Sequence, residues 1–147
     1  MGATQFEAPQ WESIAWMESE TVGRLCIVES GYPLAFPINY RLQQIGDDYR
    51  VVFRTVDHSA IGRYQGPASL EVDHIDESRL NAWSVMVRGE LHTRVGEEHL
   101  PDTSPLLTEG RQHWKVLDVQ SISGRRFDSD SFVDDFSVDW QPLERDQ

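Results

Sequence analysis

The stretch VVFRTVDHSAIGR, residues 51–63, changes character half-way along. Val51, Val52 and Phe53 read as a strand, Arg54 and Thr55 stand at its end, and Ser59 and Arg63 follow closely. A guanidinium presents a planar fork of N–H donors that matches a phosphate, and small hydroxyls can complete such a cradle. Each of these residues alone is an ordinary surface residue. Asn39, Ser84 and Arg88 are further polar residues on strand faces, and they join the candidate set on the same terms.

Other chemistries find less support. The histidines His58, His74, His92, His99 and His113 form no zinc-ligand spacing with one another or with Cys26, and no metal site is expected. No nucleophile triad can be read, and there is neither a Walker motif nor a GxGxxG after a strand. Glu97-Glu98-His99 and Asp47-Asp48 occupy turn-like positions and read as solvated loops.

Composition narrows the classes. The chain has 147 residues and a net charge of -12, with 39% hydrophobic and 10% aromatic residues. That length suits a single domain over residues 1–147, large enough to bury a core without staples. The acidic balance argues against a nucleic-acid binder, which needs a basic face. One cysteine forms no internal disulfide. The first residues lack the basic start and apolar core of a signal peptide, and no apolar run approaches the ~20 residues that cross a bilayer. A soluble cytoplasmic protein, with no membrane partner, is the expectation.

The elements that would position the candidate residues follow from periodicity. WESIAWMESETV reads as a helix with Trp11, Ile14, Ala15 and Glu18 on one face. RLCIVES, LAFPINYRL and YRVVFRT are strands separated by the turns SGYP and QIGDD, which suggests an antiparallel meander. HSAIGRYQ is a short helix ended by Gly66-Pro67. In ASLEVDHI, Ala68, Leu70 and Val72 face one side while Ser69, Glu71 and Asp73 face the other. In WSVMVRGEL, Trp83, Val85, Val87 and Leu91 alternate with Ser84, Met86, Arg88 and Glu90, and Gly89 interrupts the apolar set as a bulge or close backbone approach would. Residues 101–110 read as loop or short helix, and HWKVLDVQSISGRRF supplies a sixth strand. The fold class expected is mainly β with small helices: a six-stranded antiparallel barrel of Greek-key type. Residues 1–21 form an N-terminal helix region. Residues 128–147 form an acidic tail, with Phe132, Phe136 and Trp140 four apart, docked on its own barrel or on a partner subunit.

Over about residues 11–128 the chain resembles the flavin-binding split barrels of the pyridoxamine 5′-phosphate oxidase-like superfamily, in particular its small actinobacterial-type members. The resemblance is carried by VGRLCIVESGYPLAFPINYRL with its PxNY at Pro37-Ile38-Asn39-Tyr40, by VVFRT and the helix after it, by LEVDHID, by WSVMVRGEL against the family's WSVxVxG, and by HWKVLDVQSISGRRF against HWxRI…ITGRR. It implies a split barrel that forms a homodimer with flavin mononucleotide (FMN) at two sites between subunits. The PxNY strand would line the flavin ring, largely through backbone groups, a role for Pro37, Ile38 and Asn39. Arg54 and Thr55 would approach the phosphate, and Trp83, Ser84 and Val85 would lie near the cofactor. The family's Ser/Thr-Lys pair in the next helix is here Ser59-Ala60: the hydroxyl is kept and the ammonium lost. Arg63, about one helical turn on, is the candidate to reach back. The nitroreductase-like branch often carries His at the strand end where this chain has Arg54, so that activity is not transferred. The expected function is an FMN-binding oxidoreductase of unknown substrate. The alternative is a non-catalytic barrel that has lost FMN, or that binds haem or a deazaflavin.

Overall fold

The computed structural model describes residues 4–56, 58–94 and 113–128. Seven strands and two helices follow in order: β1 Thr4–Ala8, α1 Gln10–Ser19, β2 Val22–Glu29, β3 Tyr32–Ile45, β4 Asp48–Thr55, α2 Ala60–Arg63, β5 Gly66–Asp76, β6 Asn81–Thr93 and β7 His113–Asp128. The six expected strands are all present. The seventh, β1, falls inside the region expected to be helical, and it pairs with the C-terminal half of β7, from Thr4 opposite Asp128 to Ala8 opposite Gly124. A five-residue strand is too short to show a period of its own, and only the exposed edge of β7 creates it.

Every pairing is antiparallel, and β2 to β7 close a ring. β2–β3–β4 is a meander; β5 returns beside β2, β6 pairs with β5, and β7 joins β6 to β4. The order β5-β2-β3-β4 is a Greek key, three hairpin-connected strands with the fourth returning beside the first. Ring closure removes the open edges that would template aggregation.

Alternation fills the inside of the ring. Leu25, Ile27, Ile38, Tyr40, Val51, Phe53, Leu70, Val72, Val85, Val87, Leu91 and Leu117 are buried in one cluster, while Arg24, Met86, Arg88 and Glu90 point outward. The period-two readings of β5 and β6 hold, with Gly89 filling the buried position between Val87 and Leu91. A Cβ on Gly89 would lie 2.0 Å from the Asp118 carbonyl oxygen, and the β6–β7 register slips between Arg88 and Gly89. The backbone of β7 presses on β6 at this bulge, and only a residue without a side chain fits.

Helix α1 plugs one end of the barrel on a different face from the one its apolar residues suggest. Ser13 and Met17 are buried, whereas Trp11 is 72% exposed. Ser13 fits because Gly124 lies beneath it, where a Cβ would stand 2.1 Å from the Ser13 hydroxyl. The Met17 carbonyl accepts a 2.6 Å hydrogen bond from the Tyr40 hydroxyl, and Trp16 stacks on Trp83 at 5.2 Å. The closest packing took a serine against a glycine, so hydrophobicity did not mark the face. At the other end, α2 is one turn long and places Ile61 in the core.

The proposed acidic tail and the segment 101–110 lie outside the described residues. No helix among the described residues is long and apolar enough to cross a membrane.

Candidate functional site

Strand alternation sorts the eight candidate residues that lie on strands onto two faces, and Ser59 and Arg63 belong to α2. Ile38 and Val85 point inward and are 7% and 0% exposed, so their side chains belong to the core and only their backbone could meet a ligand. Thr55 points toward α2. Trp83 is half-buried at the α1 end, stacked between Trp16 and His74. Pro37, Asn39, Arg54 and Ser84 stand on the convex outer face. Asn39 and Arg54 each lie one residue beyond the Tyr40–Phe53 pair, on neighbouring strands. Ser84 on β6 is opposite Asp73 of β5 and Arg125 of β7; Arg125 stands eleven residues along β7 from Trp114, the partner of Arg54, so roughly 35 Å of strand at ~3.3 Å per residue separates the two.

At the end of β4 the hydrogen bonds are closely organised. Ser59 is the N-cap of α2: its hydroxyl accepts from the Gly62 amide at 3.0 Å and donates to the Val56 carbonyl at 2.7 Å. The Thr55 hydroxyl lies 3.1 Å from that of Ser59. Because a hydroxyl has one proton and Ser59 gives its proton to Val56, Thr55 is the donor of this pair. Both protons are therefore committed within the protein. A serine followed by a one-turn helix is the local signal for this cap.

Arg63 does not join Arg54. Its guanidinium donates to the His58 carbonyl and forms an ion pair with Glu29 at 3.6 Å. The cation that does pack against α2 comes from β7. Lys115, the single lysine of the chain, is fully buried, and its ammonium donates to the carbonyls of Tyr64 at 2.6 Å and Gly62 at 3.4 Å and to the Thr93 hydroxyl at 3.2 Å. Burial lowers its pKa. Three donors meet three acceptors, so this ammonium is saturated. Sequence reading passed over Lys115, although alternation in HWKVLDV puts it inward with Leu117.

Arg54 lies over the ring of Trp114, its cross-strand partner on β7, at 5.4 Å from guanidinium carbon to ring centroid. The Arg94 amide donates to the Trp114 carbonyl at 3.1 Å, so Arg54, Trp114 and Arg94 follow one another across three strands. These positions share the outer face. Among the described residues, Nε and Nη2 of Arg94 are buried and have no hydrogen-bond partner.

A second polar group sits on the same outer face beside the PxNY strand. Arg24, opposite Pro37 on one side and Glu71 on the other, bridges Asp73 at 3.2 Å and Glu71 at 3.8 Å. Burial, together with a hydrogen bond and like charge from Asp73, pushes the Glu71 carboxyl up to about 8, against the opposing pull of Arg24. Its Oε1 is buried without a partner among the described residues. Burial and the nearby Glu71 also raise the Cys26 thiol, which disfavours the reactive thiolate.

The donor set thus fits a phosphate through guanidinium groups more than through hydroxyls. A flavin laid on the outer face would meet Arg54, Asn39 and Pro37, but on a convex surface it has only one wall. A cleft of about 310 Å³ between α1 and β3, bordered by Glu18, Glu20 and Arg41, contains none of the ten residues.

A closed antiparallel ring with a Greek-key return and a plug helix defines the split-barrel class. Residues 10–127 match the family model described as pyridoxamine 5′-phosphate oxidase, and the chain belongs to that family. No curated protein is a significant match to it. Among solved structures, it is similar to the FAD binding protein from Mycobacterium smegmatis, at 25% identity over 84% of this chain and 99% of that one, TM-score 0.67. A FAD-binding protein from Mesorhizobium loti shares the fold at 18% identity over 87% and 100% of the chains, TM-score 0.65. So does the FAD and heme binding protein from Mycobacterium smegmatis, at 14% identity over 92% and 80%, TM-score 0.51.

Proposed function

We propose that this chain is an FMN-binding oxidoreductase that works as a homodimer in the cytoplasm. The observation that carries the reading is Arg54, held over Trp114 at the end of β4, in a family member whose structural relative from Mycobacterium smegmatis binds FAD. Arg54 would hold the flavin phosphate, helped by backbone groups near Thr55. Pro37, Ile38 and Asn39 would lie along the ring, and Trp83, Ser84 and Val85 of a second copy would close the site from the other side.

The flavin, when bound, supplies the redox chemistry, and its substrate and electron donor are not specified by this site. The protein orients the ring, excludes water and offers hydrogen bonds to ring heteroatoms. The dimer reading rests on geometry. A ligand on a convex sheet needs a second surface to exclude water, and the same face exposes Val22, Val28, Ile75 and Met86. Such residues are ordinary one at a time, but on one sheet face they suit a subunit contact. The cytoplasmic placement follows the lone Cys26, which needs no oxidising compartment.

One observation favours a second reading, a split barrel that has given up flavin phosphate for another ligand such as haem or a deazaflavin. The Thr55 and Ser59 protons are committed and Ala60 offers no cation. The absorption spectrum of freshly purified protein separates these cases. Flavin absorption bands support the proposal, and a Soret band or a featureless spectrum that FMN titration leaves unchanged overturns it. Light scattering that gives only a 16.9 kDa species would remove the dimer.

A further inference from the structure

We propose that Arg94 and Arg54, on either side of Trp114, form a two-guanidinium clamp for a phosphate group, with Arg94 supplying the cation that Ala60 lacks. This deepens the flavin reading and rests on it for the identity of the ligand, while the clamp itself can be tested with simpler anions.

Among the cationic and hydroxyl donors near the end of β4, most are already committed. Near the end of β4 the Thr55 and Ser59 hydroxyl protons are used within the protein. Lys115 is saturated by three acceptors. Arg63 is held by Glu29 and the His58 carbonyl. Arg94 differs from all of these. Two of its nitrogens are removed from water and, among the described residues, have nothing to donate to. Buried donors of a charged group are rarely left unmatched, because the lost hydration is uncompensated. An anion arriving at this point would satisfy them.

Register places the two arginines on either side of Trp114 on one face. Arg54 pairs with Trp114, and the Arg94 amide donates to the Trp114 carbonyl, so their Cα atoms flank that of Trp114 at about two strand spacings, roughly 10 Å apart. Two arginines that far apart on one face can converge on a tetrahedral anion between them. The Trp114 ring, with Arg54 already over it, keeps that guanidinium extended along the surface. A phosphate with two negative charges suits two arginines and a bidentate contact from each.

The test compares Arg94→Gln, Arg94→Lys and the unaltered chain. Dissociation constants are measured for FMN, FAD and riboflavin by flavin fluorescence. Thermal shifts are measured with inorganic phosphate and pyrophosphate. The clamp requires Arg94→Gln to weaken FMN by about tenfold or more and riboflavin by less than about twofold, with Arg94→Lys between. FAD weakened in parallel with FMN would place its pyrophosphate in the same clamp. FAD unaffected, with FMN weakened, would assign the clamp to a terminal phosphate. Without ligand, Arg94→Gln should melt no lower than the parent, since it removes an unmatched buried charge. If the parent binds no flavin, a rise in melting temperature with pyrophosphate that Arg94→Gln abolishes still establishes the clamp, although the flavin reading falls. If Arg54→Ala weakens FMN and Arg94→Gln does not, the flavin reading stands and this proposal is wrong. Equal loss of FMN and riboflavin in Arg94→Gln, with a lower melting temperature, would show a structural role and overturn it too. So would a parent protein that responds to neither flavin nor either anion.

Discussion

The Lys115 ammonium on β7 lies 2.6 Å from the Tyr64 carbonyl oxygen at the end of α2. A fully buried lysine thus caps a one-turn helix that has little stability of its own. It fixes α2 at the barrel mouth, and with it Ser59 and the end of β4 where Arg54 stands. The family's usual lysine is missing from α2, and the cation found beside that helix serves its carbonyls instead.

Replacing Lys115 by Met keeps the bulk but leaves the Tyr64 and Gly62 carbonyls without their donor. A loss of about 1–3 kcal/mol is expected from unmatched buried acceptors, which is several degrees of melting temperature at this size. Thermal denaturation followed by circular dichroism measures it, and an unchanged midpoint would show that water replaces the ammonium.

Gly89→Ala should be costly for a different reason. The new Cβ would meet the Asp118 carbonyl oxygen at 2.0 Å, and that oxygen belongs to backbone in the β6–β7 ladder, so it has little room to yield. A loss of about 2–3 kcal/mol is expected, with a denaturant midpoint lowered at constant m-value. A variant as stable as the parent would mean that the bulge relaxes freely.

Glu71 gives stability a pH dependence of known sign. Its carboxyl is raised from its ordinary 4.5 to about 8, so the folded protein holds the proton more tightly than the unfolded chain does. The associated stability is fully present below about pH 4.5 and is lost as pH rises toward 8. Glu71→Gln mimics the protonated form. Its melting temperature should gain on the parent as pH rises from 5 to 8, by an amount worth at least about 1 kcal/mol. A gap that stays constant over that range would mean that Arg24 keeps the carboxylate ionised throughout.

If Arg54 holds phosphate, Arg54→Ala weakens FMN by roughly 1.5–3 kcal/mol and leaves riboflavin nearly unchanged. Ala60→Lys should tighten FMN and not riboflavin. Fluorescence titration of each protein with both ligands provides the comparison. Loss of both ligands to the same degree would make Arg54 a structural residue.

Much of the fold was legible in the chain itself. β5 and β6 are half-buried strands with a strict period of two, and a repeat of that kind survives any tertiary arrangement because side chains of a strand must alternate. Gly89 was visible as a break in that repeat. The α1 face was not legible. Its burial is set by Gly124, over a hundred residues away, where any side chain would collide with the Ser13 hydroxyl. β1 was hidden because its partner, the edge of β7, exists only after the ring has formed.

For the candidate site the division is sharper. The sequence by itself determined which groups are present: Arg54 at a strand end, hydroxyls at Thr55 and Ser59, and alanine where a lysine is usual. Only the tertiary structure decided which hydroxyl protons are committed within the protein. Thr55 donates to Ser59 and Ser59 to the Val56 carbonyl within one local turn, whereas strand register brings Lys115 from β7 to serve α2 and Arg94 from the end of β6 to stand beside Trp114. One strand read alone shows a row of side chains. The pairing of three strands places two guanidinium groups on one face.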